Sequence, residues 1–172
     1  MNTCESEETE SRYTTMASPL GRLTIVTSTL GLCGLYFEQH RYFSGTGGWQ
    51  ADPSHPYLRQ ARQQLQEYFD GSRKNFDLPL NLTGTPFQLA VWRQLTTIKF
   101  GQAVSYSEHA KQIGRAAAVR AVGTAIGRNP LSIIVPCHRV LGKNGALTGY
   151  AGGIERKRFL LALENPPNAT AR

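Results

Sequence analysis

Residues 106–130 read YSEHAKQIGRAAAVRAVGTAIGRNP, and the punctuation of this stretch decides the fold. Residues 106–113 carry a helix that Ser105 is placed to cap, Gly114-Arg115 makes a short turn, and residues 116–128 carry a second helix that Asn129-Pro130 ends. Helix, short glycine-containing turn and helix outline a helix-turn-helix. At about 100° per residue, Val119, Val122 and Ile126 cluster on one side of the second helix and are expected to anchor it in a core. About a quarter turn away lie Ala116, Arg120, Gly123, Thr124 and Gly127, one arginine among small residues. A helix that reads base edges in the major groove needs several Asn, Gln, Arg, Lys or Glu side chains, so sequence-specific regulation is disfavoured. Two readings of the small stripe stay open. It packs against another helix, or it presses close to a sugar-phosphate wall or into a narrow groove with Arg120 as the one long probe. Each internal glycine costs roughly 0.5–1 kcal/mol in a helix, so close approach of some kind is required.

Charge is unevenly placed around this helix pair. Residues 1–84 hold 7 Lys and Arg against 9 Asp and Glu, a net −2, whereas residues 85–172 hold 12 against 3, a net +9. The whole basic excess lies in the second half, which suits either a solvated surface or a polyanionic partner. The chain has 172 residues, 40% of them hydrophobic and 18% charged, the composition of an ordinary globular protein with one compact domain or two small ones. No apolar run approaches the roughly 18 residues of a membrane helix, and the start MNTCESEETE is unlike a signal peptide, so a cytoplasmic protein is expected. Cys4, Cys33 and Cys137 are odd in number and widely spaced, which predicts free thiols rather than a disulfide framework.

The remaining segments read as α+β. The first dozen residues are acidic and expected to be disordered. RYTTMAS, RLTIVTS and GLCGLYFEQ predict three strands of an antiparallel meander, with Pro19-Leu20-Gly21 as a turn. Residues 40–56 read as a loop, and YLRQARQQLQEYF as a helix stopped by Gly71. Residues 1–84 are then a sheet-plus-helix domain with its linker, and residues 85–172 a second domain. The second begins with a helix capped by Thr85 with Pro86 in first position and Phe87, Val91 and Leu95 as its stripe. LSIIVP predicts a buried strand, GKNGALTGYAGG a glycine-rich loop, and IERKRFLLALE a last helix before a short tail.

The segment IIVPCHRV, residues 133–140, sets Cys137 between Pro136 and His138. A lone cysteine after an apolar run is commonly a small buried hydrophobe. A nucleophilic role needs an adjacent base or positive field, because an unperturbed thiol is only a few per cent thiolate at pH 7, and His138 and Arg139 are of the right kind. In a regular strand neighbours point to opposite faces, so a turn or a bridging water must connect Cys137 to His138, and Pro136 is expected to end the strand there. Glu164, on the side of Leu160 and Leu163 in the last helix, is placed either at an exposed helix end or inside, as the third member of a Cys-His-Glu relay. His109 reads as a surface or core-edge residue.

TPFQLAVW, FGQAVSY, VRAVGTA, NPLSIIVPCHRV, GALTGYAGG and RKRFLLALE, in order from Thr85 to Glu164, together resemble the O6-alkylguanine-DNA alkyltransferase family, with a weaker echo in SPLGRLTI. The resemblance implies a small N-terminal antiparallel-sheet (RNase H-like) domain and a C-terminal winged helix-turn-helix DNA-binding domain. It implies irreversible, single-turnover transfer of the alkyl group from O6-alkylguanine, with O4-alkylthymine as a further candidate substrate, to Cys137. By the same resemblance His138 is the base acting through water, Glu164 orients it, and Asn129 buttresses the turn. Arg120 enters the duplex in place of the flipped lesion, and Tyr106 pushes on the nucleotide and bonds to the base. Val140, Tyr150, Ala151 and Gly152 belong to the pocket, with the carbonyls of Cys137 and Val140 accepting from the guanine amine. No metal or cofactor is implied; some relatives hold zinc, but Cys4, Cys33, His40 and His55 lack zinc-like spacing. Gly149 and Ala151 stand where some members carry larger side chains, which predicts room for adducts larger than methyl. The lesion chemistry agrees: O6 lies on the major-groove edge, so a helix suited to the minor groove reaches it only if the base is rotated out. The partner expected is double-stranded DNA containing alkylated bases, met by a monomer, with no membrane. A non-catalytic lesion sensor is the main alternative and a cysteine hydrolase a second. The former lacks a reactive cysteine, and the latter leaves the basic half and the glycine-faced helix unused.

Overall fold

A computed structural model of the chain describes residues 10–166. The acidic start, the tail and Cys4 lie outside the described residues. The chain forms two units, Met1–Gly84 with Pro130–Ile134, and Thr85–Asn129 with Val135–Arg172.

In the first unit, runs rich in Val, Ile, Thr and Tyr give β1 (Arg12–Met16), β2 (Leu23–Thr27) and β3 (Leu32–Phe37), paired antiparallel as the meander expected. The sheet order is β3-β2-β1-β4, and the two-residue β4 (Gln50–Ala51) runs parallel to β1. The pleat puts Leu23, Ile25, Leu35 and Phe37 on one face, and α1 (Pro56–Phe69) buries Leu58, Ala61, Leu65 and Tyr68. The segment read as a plain loop, 40–56, instead contributes β4 and two aromatic rings to the other face. Phe43 stacks on Tyr36 with ring centroids 4.9 Å apart, and Trp49 stacks beyond it at 6.3 Å. Neither ring sits in a periodic pattern, so nothing local announced this. Cys33 is bonded in a disulfide, which corrects the expectation of free thiols; Cys137 is the free cysteine among the described residues.

The second unit holds α2 (Pro86–Leu95), β5 (Val104–Ser105), α3 (Tyr106–Gln112), α4 (Val119–Gly127), β6 (Val140–Leu141) and α5 (Ile154–Glu164). Capping boxes Thr85–Gln88 and Ser105–Glu108 start α2 and α3. The Trp92 indole N–H donates to the Ala125 carbonyl at 2.8 Å and joins α2 to α4, while His109 Nε2 lies 3.1 Å from the Val91 carbonyl and joins α3 to α2. His109 is therefore fully buried rather than at the surface or core edge. The architecture is α+β, a small sheet with one helix followed by a helical unit in which β5 and β6 form a short parallel ladder.

Two local expectations are corrected. The helix expected over 116–128 begins only at Val119, because Ala118 departs from helical geometry and offers no side-chain cap, so Ala116 lies in the preceding turn and Val119 is only half-buried. The expected strand LSIIVP is reduced to one bridge, Leu131 with Leu35. Beyond it Ile133 takes φ +71°, and the Ile134 N–H donates to the Ser132 carbonyl, a γ-turn with positive φ that strains a β-branched residue. Pro136, at φ −83° and ψ 65°, centres an inverse γ-turn closed from the Cys137 N–H to the Val135 carbonyl. Two tight reversals, not a strand end, deliver the cysteine.

Candidate active site

Cys137, His138 and Arg139 form a single 3-10 turn, and all three are buried. Such a turn advances about 120° per residue, so the thiol and the imidazole of neighbouring residues leave the backbone in different directions. Asn129 ties the approach together: its Nδ2 donates to the Val135 carbonyl at 2.7 Å, and its amide also hydrogen-bonds to the Cys137 thiol. Burial pushes that thiol up, against the Asn129 hydrogen bond and the nearby Lys157 charge, which act the other way. The resting sulfur is thus protonated at pH 7, and reaction requires a proton acceptor.

His138 has that capacity. Its Nε2 lies 2.7 Å from Glu164 Oε1, and both side chains are almost wholly out of water. Burial alone would push the Glu164 carboxyl up, but hydrogen bonds from His138 and Arg139 outweigh it and bring the carboxyl down to about 2. Burial pushes His138 below its ordinary value, with Glu164 opposing. At pH 7 the pair is therefore a carboxylate and a neutral imidazole, so Nε2 carries the proton and donates it to Glu164, and Nδ1 is left as the acceptor. Glu164 is inside, which settles where that side chain lies although the helix end could have been exposed.

Tyr106 lies between α4 and the loop of residues 148–149. Its ring would lie 3.7 Å from a Cβ placed on Gly123, and its hydroxyl donates to the carbonyl of Thr148 at 3.1 Å and approaches that of Gly149 at 3.4 Å. Burial raises its hydroxyl pKa, the Thr148 hydrogen bond acts the other way, and an anionic Cys137 raises it further. Val140 is buried at the end of the 3-10 turn with its N–H donating to the Cys137 carbonyl, which keeps one lone pair for another donor. Tyr150 and Ala151 are half-buried and Gly152 is buried in the loop that Tyr106 touches.

On α4, Arg120 and Thr124 are exposed, and the Thr124 hydroxyl donates to the Arg120 carbonyl at 3.1 Å. A Cβ on Gly127 would meet nothing within 4 Å, and the Gly123 contact is an ordinary van der Waals distance. Packing against another helix therefore does not explain Gly127, which faces open space, whereas Gly123 lies at ordinary contact distance from the Tyr106 ring of α3. Ala116 is exposed in the turn before α4.

Lys157 was missed in the sequence. It is fully buried, donates from Nζ to the Thr148 carbonyl at 2.9 Å and stands 5.8 Å over the Tyr106 ring. Burial lowers it to about 8, while the nearby Cys137 raises it. Lys157 shares a helix stripe with Leu160 and Glu164, at i, i+3 and i+7, so extending the Glu164 argument back two turns would have found it. Among the described residues no group of three or more His, Cys, Asp or Glu is placed to hold a metal ion, and no helix is long and apolar enough to cross a membrane.

Two family models match the chain: 6-O-methylguanine DNA methyltransferase, ribonuclease-like domain, over residues 11–82, and 6-O-methylguanine DNA methyltransferase, DNA binding domain, over residues 86–166. The chain is 48% identical over 152 residues to the methylated-DNA--protein-cysteine methyltransferase of Mycobacterium tuberculosis (strain ATCC 25618 / H37Rv), covering 88% of this chain and 91% of that one. It is 49% identical over 156 residues to the constitutive methylated-DNA--protein-cysteine methyltransferase of Bacillus subtilis (strain 168), covering 88% and 94%. A crystal structure of Mycobacterium tuberculosis OGT in complex with DNA superposes with a TM-score of 0.83 at 47% identity, over 89% of this chain and 92% of that one.

Proposed function

The chain belongs to the 6-O-methylguanine DNA methyltransferase family, and from that premise we propose how its own residues carry out the transfer. Its activity is that of a methylated-DNA--protein-cysteine methyltransferase: it binds DNA and repairs alkylated guanine by moving the alkyl group to a cysteine of its own chain. The buried Glu164–His138 pair adjoining the protonated Cys137 carries the assignment of that cysteine.

His138 Nδ1 takes the thiol proton through a bridging water, and the imidazolium formed is stabilised by Glu164. The Cys137 sulfur then attacks the alkyl carbon in line with the departing O6, so that the S–C bond forms as the C–O bond breaks. The electron pair passes to the guanine, and the Tyr106 hydroxyl turns from the Thr148 carbonyl to neutralise it. Lys157 holds positive charge beside the nascent thiolate. The product is a thioether that has no leaving group for water to displace, so each molecule acts once. Val140, Tyr150, Ala151 and Gly152 wall the base, and Gly149 leaves the entrance open toward larger adducts. O4-alkylthymine is a secondary substrate. The protein acts as a cytoplasmic monomer, with residues 1–84 as scaffold and 85–172 as the DNA-binding and active-site domain.

Base rotation is the costly step before chemistry. Arg120 projects from the exposed face of α4 and fills the stack behind the extruded base. Arg120→Ala is expected to slow transfer from duplex DNA by roughly one to two orders of magnitude while leaving reaction with the free base O6-methylguanine within about twofold. Equal slowing on both substrates would remove Arg120 from this role. Ala116, Gly123, Thr124 and Gly127 let α4 lie against the sugar-phosphate wall. Gly127→Ala tests this by opposing effects: thermal stability rises, by about 0.5–1 kcal/mol, because a helical glycine is replaced in open space, yet duplex affinity falls. Unchanged affinity with raised stability would leave the small stripe without a function.

The reading as a whole is tested by incubating the protein with duplex DNA containing O6-methylguanine and weighing the peptide that bears Cys137. One added methyl is expected. An unchanged peptide from folded protein leaves the non-catalytic lesion sensor.

A further inference from the structure

Arg139 binds the same carboxylate of α5 that receives the proposed base. Its Nε donates to Glu164 Oε2 at 2.9 Å and its Nη2 to Oε1 at 2.8 Å, while Nη1 donates to the Ile98 carbonyl. The guanidinium also lies 5.9 Å over the Phe100 ring. Glu164 Oε1 is the same oxygen that receives His138 Nε2, so one carboxylate is shared by a permanent cation and a titratable ring. We propose that Arg139 is a positioning residue that sets the protonation state of the His138–Glu164 pair, supplying the positive charge that the carboxylate would otherwise draw from a proton on the histidine.

The inference rests on the reading of His138 as the base, and it follows from counting protons in a closed space. Glu164 ends α5, where the helix dipole disfavours a negative charge, and it is cut off from water. Without a cation such a carboxylate is stabilised in one of two ways. It binds a proton itself and donates it to Nε2, which moves the imidazole proton to Nδ1, or it holds His138 as imidazolium with both nitrogens protonated. Either outcome removes the acceptor lone pair from Nδ1. A bidentate arginine leaves the third state, with the carboxylate ionised, Nε2 protonated and Nδ1 free. The charged and titratable groups around His138 are Glu164 and Lys157 from α5 and Cys137 and Arg139 from its own turn. Lys157 opposes protonation of His138 as Arg139 does, but its hydrogen bond goes to Thr148, whereas Arg139 both contacts and neutralises Glu164.

The test is the pH profile of single-turnover transfer to Cys137. In Arg139→Met an acidic limb absent from the unaltered protein is expected, with transfer roughly tenfold slower at pH 6 than at pH 8 beyond any slope the unaltered protein shows. The sign follows from removing a positive neighbour: the histidine pKa rises, and the neutral base is lost below it. Arg139→Lys keeps the charge and is expected to keep the original profile shape at a lower rate. The double variant R139M/E164Q, lacking the carboxylate that traps the proton, is expected to lose the new limb. An R139M profile parallel to that of the unaltered protein, with only stability reduced, overturns the inference. If R139M does not fold, the ring-nitrogen chemical shifts of His138 in the unaltered protein decide: a neutral Nε2–H tautomer from pH 6 to 8 supports it, and imidazolium or an Nδ1–H tautomer overturns it. Those shifts do not depend on transfer, so absence of methyl on Cys137 at every pH would count against the proposed function and not against this arrangement.

Discussion

Cys137→Ser is expected to lose methyl transfer by at least about three orders of magnitude while binding duplex DNA as before. The serine is nearly the same size, so the two γ-turns that deliver residue 137 and the Asn129 bond to the Val135 carbonyl have no reason to move. What changes is the acidity of the group. Burial already holds the thiol protonated, against the Asn129 hydrogen bond, the Lys157 charge and backbone hydrogen bonds from Cys137 and His138, which favour its anion. A hydroxyl starts from a far higher pKa, and a neutral buried imidazole is too weak a base to ionise it. Mass spectrometry of the peptide that spans residue 137 checks this after incubation with methylated duplex. A methyl group at comparable rate on the serine variant would move the chemistry to another residue.

Glu164→Gln is expected to affect both the chemistry and the fold. The neutral amide leaves the Arg139 guanidinium in a buried site without a counter-charge, and breaking a buried pair in this way costs about 3–5 kcal/mol. Thermal or urea unfolding reads that loss directly. Transfer should fall by on the order of 10²- to 10⁴-fold, since an amide neither stabilises the imidazolium nor fixes the Nε2–H tautomer. Acid sensitivity provides a second check. The carboxyl at about 2 in the folded chain, against an ordinary value of 4.5, makes a depressed acid whose stabilisation is complete above pH 4.5 and disappears as pH falls toward 2. That contribution is about 3 kcal/mol, and the glutamine variant should lack it, so its stability should change less across this window than that of the parent. Equal acid sensitivity in both proteins would place the titrating group elsewhere.

Much of the fold was legible because it rests on local rules. Thr85-Pro86 and Ser105 begin helices through their own capping hydrogen bonds, and three β-branched runs with a Gly21 turn pair as a meander. The late start of α4 was not legible, since an alanine run promises helix by propensity and only the backbone angles at Ala118 deny it. LSIIVP misled for a similar reason. Its apolar residues are buried as expected, but the segment turns twice instead of extending, and periodicity cannot distinguish a buried turn from a buried strand.

For the site, the sequence by itself determined the chemical inventory: a thiol beside an imidazole, a carboxylate in the last helix, a lone arginine on a small-residue face, and the family they resemble. Tertiary structure alone decided which nitrogen of His138 is free, whether Glu164 is charged, that Lys157 lies in the site and that Arg139 binds Glu164. Those properties depend on desolvation and on contacts between residues far apart along the chain, 26 positions for His138 and Glu164 and 41 for Arg139 and Ile98. A pKa is set by the groups that fold around an atom, and the order of residues along the chain does not contain it.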